Sequence, residues 1–236
     1  MAKKPAKSEA EPGGFRGFGS QALPFLLALR ENNDRTWFAE NKATYVEECE
    51  APFRELVLAV GRSLEAKGSP MAPRAKNPAY RIYRDVRFSK DKTPYKTHLG
   101  ASLHREGDKS HPGLVYLHVE PGHSFLAAGF HQPDPPLLKA LRSAIADDPE
   151  GFAGVLRSLA AKKLELGGGE PLARMPKGFE AFADSPHAAT LRNRSFLTSR
   201  RIEDDDLERR DLPEVVARFA LEAAPLLEFA WARAGD

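Results

Sequence analysis

The stretch LVYLHVEPGHSFLAAGF, residues 114–130, decides the fold class. Two β-rich runs, Leu114 to Glu120 and His123 to His131, are separated only by Pro121-Gly122, so an antiparallel hairpin is the expected outcome. Pro-Gly favours a type II turn over the primed turns that best match strand twist, a mismatch for which a bulge is one expected compensation. With a tight link, facing residues have numbers summing to 243, which sets Glu120 against His123 and His118 against Phe125.

Working outward, the residues before the hairpin also alternate. Tyr80, Ile82, Arg84, Val86 and Phe88 fall on one face of an expected strand, with Phe88 in the core; Arg81, Tyr83, Asp85, Arg87 and Ser89 fall on the other. A loop from Ser89 to Pro94 leads to a second alternating run, in which Lys96, His98, Gly100, Ser102 and His104 lie opposite Tyr95, Thr97, Leu99, Ala101 and Leu103. On both sides of these strands the period becomes helical. Ser20 is the expected N-cap of a short helix ending at Leu29. A long helix from Arg35 to Lys67 carries Trp37, Phe38, Tyr45, Cys49 and Phe53, with Pro52 expected to kink or divide it. Further on, Leu137, Leu141 and Ile145 form one stripe and Phe152, Val155 and Leu159 another. A short helical piece at His187 to Arg194 precedes an extended Ser195 to Ile202, and a last helix runs from Pro213 to Arg233 around Pro225. Helices, consecutive strands and helices again predict one α+β domain over 15–236, an antiparallel sheet packed against helices, after a flexible tail over 1–14.

Composition agrees with a globular chain. Of 236 residues, 42% are hydrophobic and 29% charged, which argues against a disordered, fibrous or membrane-spanning protein. The longest apolar run, Ala22 to Leu29, is far short of the roughly 20 residues a bilayer span needs. Ser8 to Gly14 is polar where a secretory signal is apolar, so a cytoplasmic location is expected. A single cysteine, Cys49, excludes an internal disulfide and a multi-cysteine zinc site, and its place on an apolar stripe marks a small buried hydrophobe.

The net charge is only +2, but it is unevenly spread. Between Met71 and Arg105 nine bases meet two acids, a local +7, leaving 26 bases and 31 acids, or −5, for the rest. Such a patch fits a local anion site better than a general polyanion binder. Its densest part is R-x-Y-R-D-x-R-F-S-K-D-K-x-P-Y-K-T-H, residues 81–98. Together with Asn-Asn-x-x-x-Trp-Phe-x-x-Asn-Lys at 32–42, Glu-Pro-Gly-x-Ser-Phe at 120–125 and Pro-Lys-Gly-Phe at 176–179, this string resembles the conserved family known as domain of unknown function 2461. The likeness extends over about Phe15 to Phe229; His123 stands where that family usually has a small residue. The resemblance implies no activity, cofactor or catalytic residue.

Chemistry therefore has to come from the residues. Arginines at alternate strand positions offer forked donors suited to phosphate or carboxylate oxygens. The candidate ligand-binding set is Arg81, Tyr83, Arg84, Arg87, Ser89, Lys90, Lys92 and Lys96. His98 is the candidate acid or base, and Asp85, which neutralises and orients an arginine, is grouped with it as catalytic. The bland alternative is an ion-pair ladder of Arg81, Asp85, Arg87 and Asp91. His118, Glu120 and His123 have acceptable zinc or iron donors, but their spacing is no established metal motif and no metal is assigned. The acidic run Glu203 to Asp206 reads as a solvated lead-in. No nucleophile elbow, phosphate loop, zincin helix or dinucleotide fingerprint names a cofactor. The expectation is a site for a phosphorylated or other anionic small molecule, with phosphoester transfer or hydrolysis as its chemistry. The alternatives are a nucleic-acid module that stacks bases on Tyr83 or Tyr95, and a protein-interaction domain.

Overall fold

The computed structural model describes residues 14–234. The tail expected over 1–14 lies, except for Gly14, outside the described residues. Helices α1 (Ala22–Glu31), α2 (Arg35–Thr44) and α3 (Ala51–Ala66) lead into β1 (Met71–Pro73) and β2 (Leu99–Arg105). The hairpin β3 (Leu114–Val119) and β4 (Phe125–Phe130) follows. Next come α4 (Pro135–Asp147), α5 (Pro149–Ala160), the single turn α6 (Ala188–Leu191), β5 (Phe196–Arg201) and the long α7 (Leu212–Ala234). The strands form one antiparallel meander in the order β1-β2-β3-β4-β5. The molecule is an α+β domain, as its hairpin foretold.

Period-two patterning sorts the sheet into two faces. Leu99, Ala101, Leu103, Val115, Leu117, Val119, Leu126, Ala128 and Phe130 are fully or almost fully buried on one face. Helix α7 packs on β3 and β4 while α3 covers β1 and β2, so this face is the core. Burial of each such aliphatic or aromatic side chain is worth about 1.5 to 3 kcal/mol. The opposite face carries Ser102, His104, Tyr116 and His118, and the His98 ring lies against it.

The β3–β4 register follows the expected sum: Leu114 faces Gly129 and His118 faces Phe125. His123 N–H donates to the Glu120 carbonyl, and Gly122 takes φ +74°, the left-handed value that position i+2 of a type II turn requires. Asp204 clamps the turn by accepting the Gly122 N–H at 3.0 Å.

Two expectations are corrected, and at Pro52 one of two expected outcomes is found. Ser20 does not cap α1; Gln21 holds the N-cap position and makes no side-chain cap bond. By contrast Asp34, Asp134 and Asp148 each accept N–H bonds at the starts of α2, α4 and α5. The helix expected from Arg35 to Lys67 is interrupted before Pro52 by a π-helical stretch, Tyr45–Glu50. Proline has no N–H to give and its ring crowds the carbonyl four residues back, so the chain widens by a residue; Ala51 N–H bonds to the Val46 carbonyl instead.

The second correction is the larger. Residues 79–98 form no regular strand, only isolated bridges Ala79–Ala101 and Tyr83–Tyr95. Pro73 and Pro78 cannot donate to the edge of β2, and beyond Arg84, whose N–H bonds to the Pro94 carbonyl, the chain leaves the sheet. Phe88 rides at the outer end of this excursion with 95% exposure, not in the core. Only Ile82 and Tyr95 anchor the segment inside.

Candidate functional site

The excursion is held by one polar residue from the helical layer. Asn33, in the α1–α2 link, donates from Nδ2 to the Tyr95 carbonyl and accepts the Tyr95 N–H at Oδ1, both at 3.0 Å. Its amide thus substitutes for a neighbouring strand. Tyr95 stacks on Phe38 at 4.1 Å between ring centroids, and Tyr83 leans on Tyr95 at 5.4 Å.

Between this pinned segment and α3 lies a cleft of about 690 Å³. Arg54 from α3, Arg74 and Lys76 from the link after β1, and Arg81 and Lys96 from the excursion all line it, with Glu50 as the one carboxylate. None of the five cations makes an ion pair with a described residue. Lys96 Nζ sits 5.4 Å over the Tyr80 ring, and its pKa is lowered by burial and by Arg81. A second opening of about 440 Å³ shares Lys96 and adds Asn33, Arg84, Thr93 and His98.

His98 looks onto the polar sheet face. Its ring lies 4.4 Å from that of His118. His118 is held at both nitrogens, by the Tyr116 hydroxyl at Nδ1 (3.2 Å) and by Glu120 at Nε2 (3.0 Å). His98 itself has no hydrogen-bond partner among the described residues. Burial, then His118, pulls its pKa down to about 4, with Glu120 opposing. Tyr116 is pushed up to about 12 by burial. Beside them Tyr80, Ser102 and His104 form a hydroxyl–hydroxyl–imidazole chain of 2.7 and 2.9 Å. Gly100 makes room for the Tyr116 ring: a Cβ there would stand 2.8 Å from the Tyr116 hydroxyl.

A family model described as a conserved hypothetical protein, DUF2461, matches residues 21–229. The chain belongs to this family. No curated protein matches the chain, and no solved structure does. The stretches that carried the resemblance take distinct parts in the fold of this DUF2461 member. Asn33 pins the excursion, the 81–98 string supplies Arg81, Arg84, Lys96 and His98 to the two openings, and the Glu120 turn buttresses His118.

The remaining residues singled out from sequence lie elsewhere. Asp85 pairs with Arg87 at 2.7 Å on the exposed side of the excursion, away from both openings, and this pair lowers the Asp85 pKa. Arg84 pairs with Asp91 and Thr93, which brings Asp91 down to about 2. Lys92 folds back onto the Val86 carbonyl at 2.9 Å. Ser89 and Lys90 occupy the outer turn, and Tyr83 is half exposed over a smaller hollow with Arg35. Of the four residues in the expected ladder only Asp85 and Arg87 pair with each other; Asp91 pairs with Arg84 instead, and Arg81 makes no ion pair with a described residue. The His123 ring bonds to the Pro121 carbonyl and not to the His118 or Glu120 side chains, and no group of metal-ligating side chains occurs among the described residues. Cys49 is buried with its thiol pushed up to about 12 by desolvation, the hydrophobe expected. Sequence reading missed Arg54, because nothing marks one basic residue on a helix as facing a cleft. It also passed over Tyr116, although the alternation of β3 puts Tyr116 on the face of His118. No helix among the described residues is long and apolar enough to cross a membrane.

Proposed function

We propose that the protein binds a phosphorylated or similarly anionic small molecule in the cleft between α3 and residues 79–98. One observation carries this reading: five cationic side chains from three separate segments converge on one concavity against a single carboxylate. Structural arginines are normally neutralised by their neighbours, as Arg87 is by Asp85 and Arg209 by Asp211. A cleft of this size suits a nucleotide or sugar phosphate better than a polymer. His98 is the group placed for proton transfer: it is neutral at pH 7, has free ring nitrogens, and lies beside Lys96 at the adjoining opening. Asp85 takes no part in this reading. Thermal-shift and calorimetric titration with nucleotides, sugar phosphates and inorganic phosphate tests it. Binding is expected to weaken as salt rises, and Arg81→Gln with Lys96→Gln should weaken it at least tenfold. The absence of stabilisation by every anion at low salt overturns it.

A second reading has its own observation. Phe88 is 95% exposed with the Arg87 guanidinium 5.8 Å over its ring, and Tyr83 is half exposed, a pairing of cation and aromatic that suits stacking on single-stranded bases. A fluorescent oligonucleotide titration separates the two, since Phe88→Ala should abolish that binding and leave phosphate binding unchanged.

A further inference from the structure

At the far end of the sheet a cavity of about 580 Å³ opens between α4, residues 168–172 and the start of β5. Arg142 of α4 lines it and is 92% buried, at 8% exposure. One guanidinium nitrogen, Nη2, donates to the Asn193 carbonyl at 2.8 Å. Nε has no acceptor among the described residues, and no described carboxylate neutralises the charge. Two half-buried arginines elsewhere do have counter-ions, since Arg200 reaches Glu222 and Arg84 reaches Asp91, whereas Arg74 and Arg192 resemble Arg142 in having no carboxylate partner among the described residues. Burying an uncompensated guanidinium is costly, and the cost lowers the Arg142 pKa. Arg194, exposed at the rim, adds a second cation.

The rest of the lining narrows the chemistry. Leu138, Leu172 and Leu197 give the cavity apolar walls, while Glu170 stands at its edge and disfavours a second negative charge on the occupant. We infer that this cavity binds a small organic monocarboxylate, with its carboxylate on Arg142 and Arg194 and its apolar body against the three leucines. A guanidinium fork matches two carboxylate oxygens, and a desolvated pocket strengthens the pair. The site is separate from the cleft under α3 and shares no residue with it.

The test titrates the full chain with butyrate, benzoate, succinate and inorganic phosphate, reading the side-chain Nε–H resonance of Arg142 by NMR and affinity by calorimetry. Saturable binding of butyrate or benzoate, tighter than succinate or phosphate and accompanied by a shift of that resonance, is expected. Arg142→Lys should weaken it at least tenfold and Arg194→Gln about threefold, while Arg81→Gln leaves it unchanged. Arg194 is exposed, so its variant informs even where Arg142→Lys does not fold. The inference is overturned if no monocarboxylate saturates the wild-type chain or if phosphate binds more tightly. It is also overturned if the Arg142 resonance does not move, or if Arg81→Gln is the variant that loses monocarboxylate binding. Failure here leaves the reading of the α3 cleft intact, because that reading is scored by phosphate compounds and by Arg81 and Lys96.

Discussion

Strand β2 is flanked by two neighbours held in unlike ways. On one edge β3 runs beside it through five consecutive residue pairs, Leu99–Val119 to Leu103–Val115, with Leu117 and Val115 sealed against the helical layer. On the other edge, beyond short β1, residues 79–98 touch it at one bridge and are otherwise secured by Asn33, Ile82 and Tyr95. Both regions alternate in sequence. Only the first buries one of its two faces along its whole length, and that burial, not alternation, is what makes a strand. The loosely held region is also where unpaired cations collect, which fits the general rule that binding groups sit on loops carried by a rigid scaffold.

The contrast is broken most directly by removing one apolar side chain from each region. Leu117→Ala should cost about 2 to 5 kcal/mol, because a fully buried leucine leaves a cavity that the packed sheet and α7 cannot close. Phe88→Ala should change stability by less than about 0.5 kcal/mol, as for other surface positions. Chemical denaturation of both variants measures the difference. Equal losses would mean that residues 79–98 pack as a strand in solution and that the excursion is wrong.

A smaller effect tests how the loose region is held. Asn33→Ala removes both bonds to Tyr95 and strands a half-buried N–H and carbonyl, so a loss of about 1 to 3 kcal/mol is expected. Hydrogen exchange locates it: the Tyr95 and Lys96 amides should speed up while the amides of β3 and β4 stay protected. If protection falls uniformly over the sheet, the excursion unfolds with the scaffold and the two regions are not separable.

Much of this division was legible beforehand, and the exceptions have physical causes. The hairpin register, α7 with its internal Pro225, the extended 196–201 and the polar side of β2 all follow from periodicity that burial enforces locally. Residues 79–88 misled because their alternation is genuine but lacks a neighbour, and whether an edge strand finds partners is decided by prolines and by tertiary placement. Arg81, Arg84, Lys96 and His98 were identified because charge density marked them. Arg54 and Arg142 were not, since a helix interior gives one arginine no distinctive surroundings in sequence, and only the packed fold shows which cations lack partners.

The weakest expected effect concerns the junction of the two regions, where His98 leaves the excursion and enters β2. Its folded pKa of about 4 lies below the ordinary 6.5 because burial and His118 disfavour the imidazolium. The unfolded chain therefore binds a proton between pH 6.5 and 4 that the folded chain refuses, and stability must fall as pH drops through that window. Above pH 6.5 the residue is neutral in both states and contributes no slope. Its partial exposure moderates the size, and His104, also lowered by burial, adds a slope of the same sign. The informative quantity is thus the difference between wild type and His98→Gln in urea titrations at pH 7, 6, 5 and 4.5. The variant should lose stability less steeply on acidification, and addition of a phosphate-bearing ligand to the wild type should raise the His98 pKa toward 6.5 in an NMR titration. Parallel pH curves for the two proteins would place the His98 ring in solvent and detach it from the buried His118–Glu120 pair. An unchanged His98 pKa with phosphate bound would restrict the α3 cleft to binding, with proton transfer removed from the proposal.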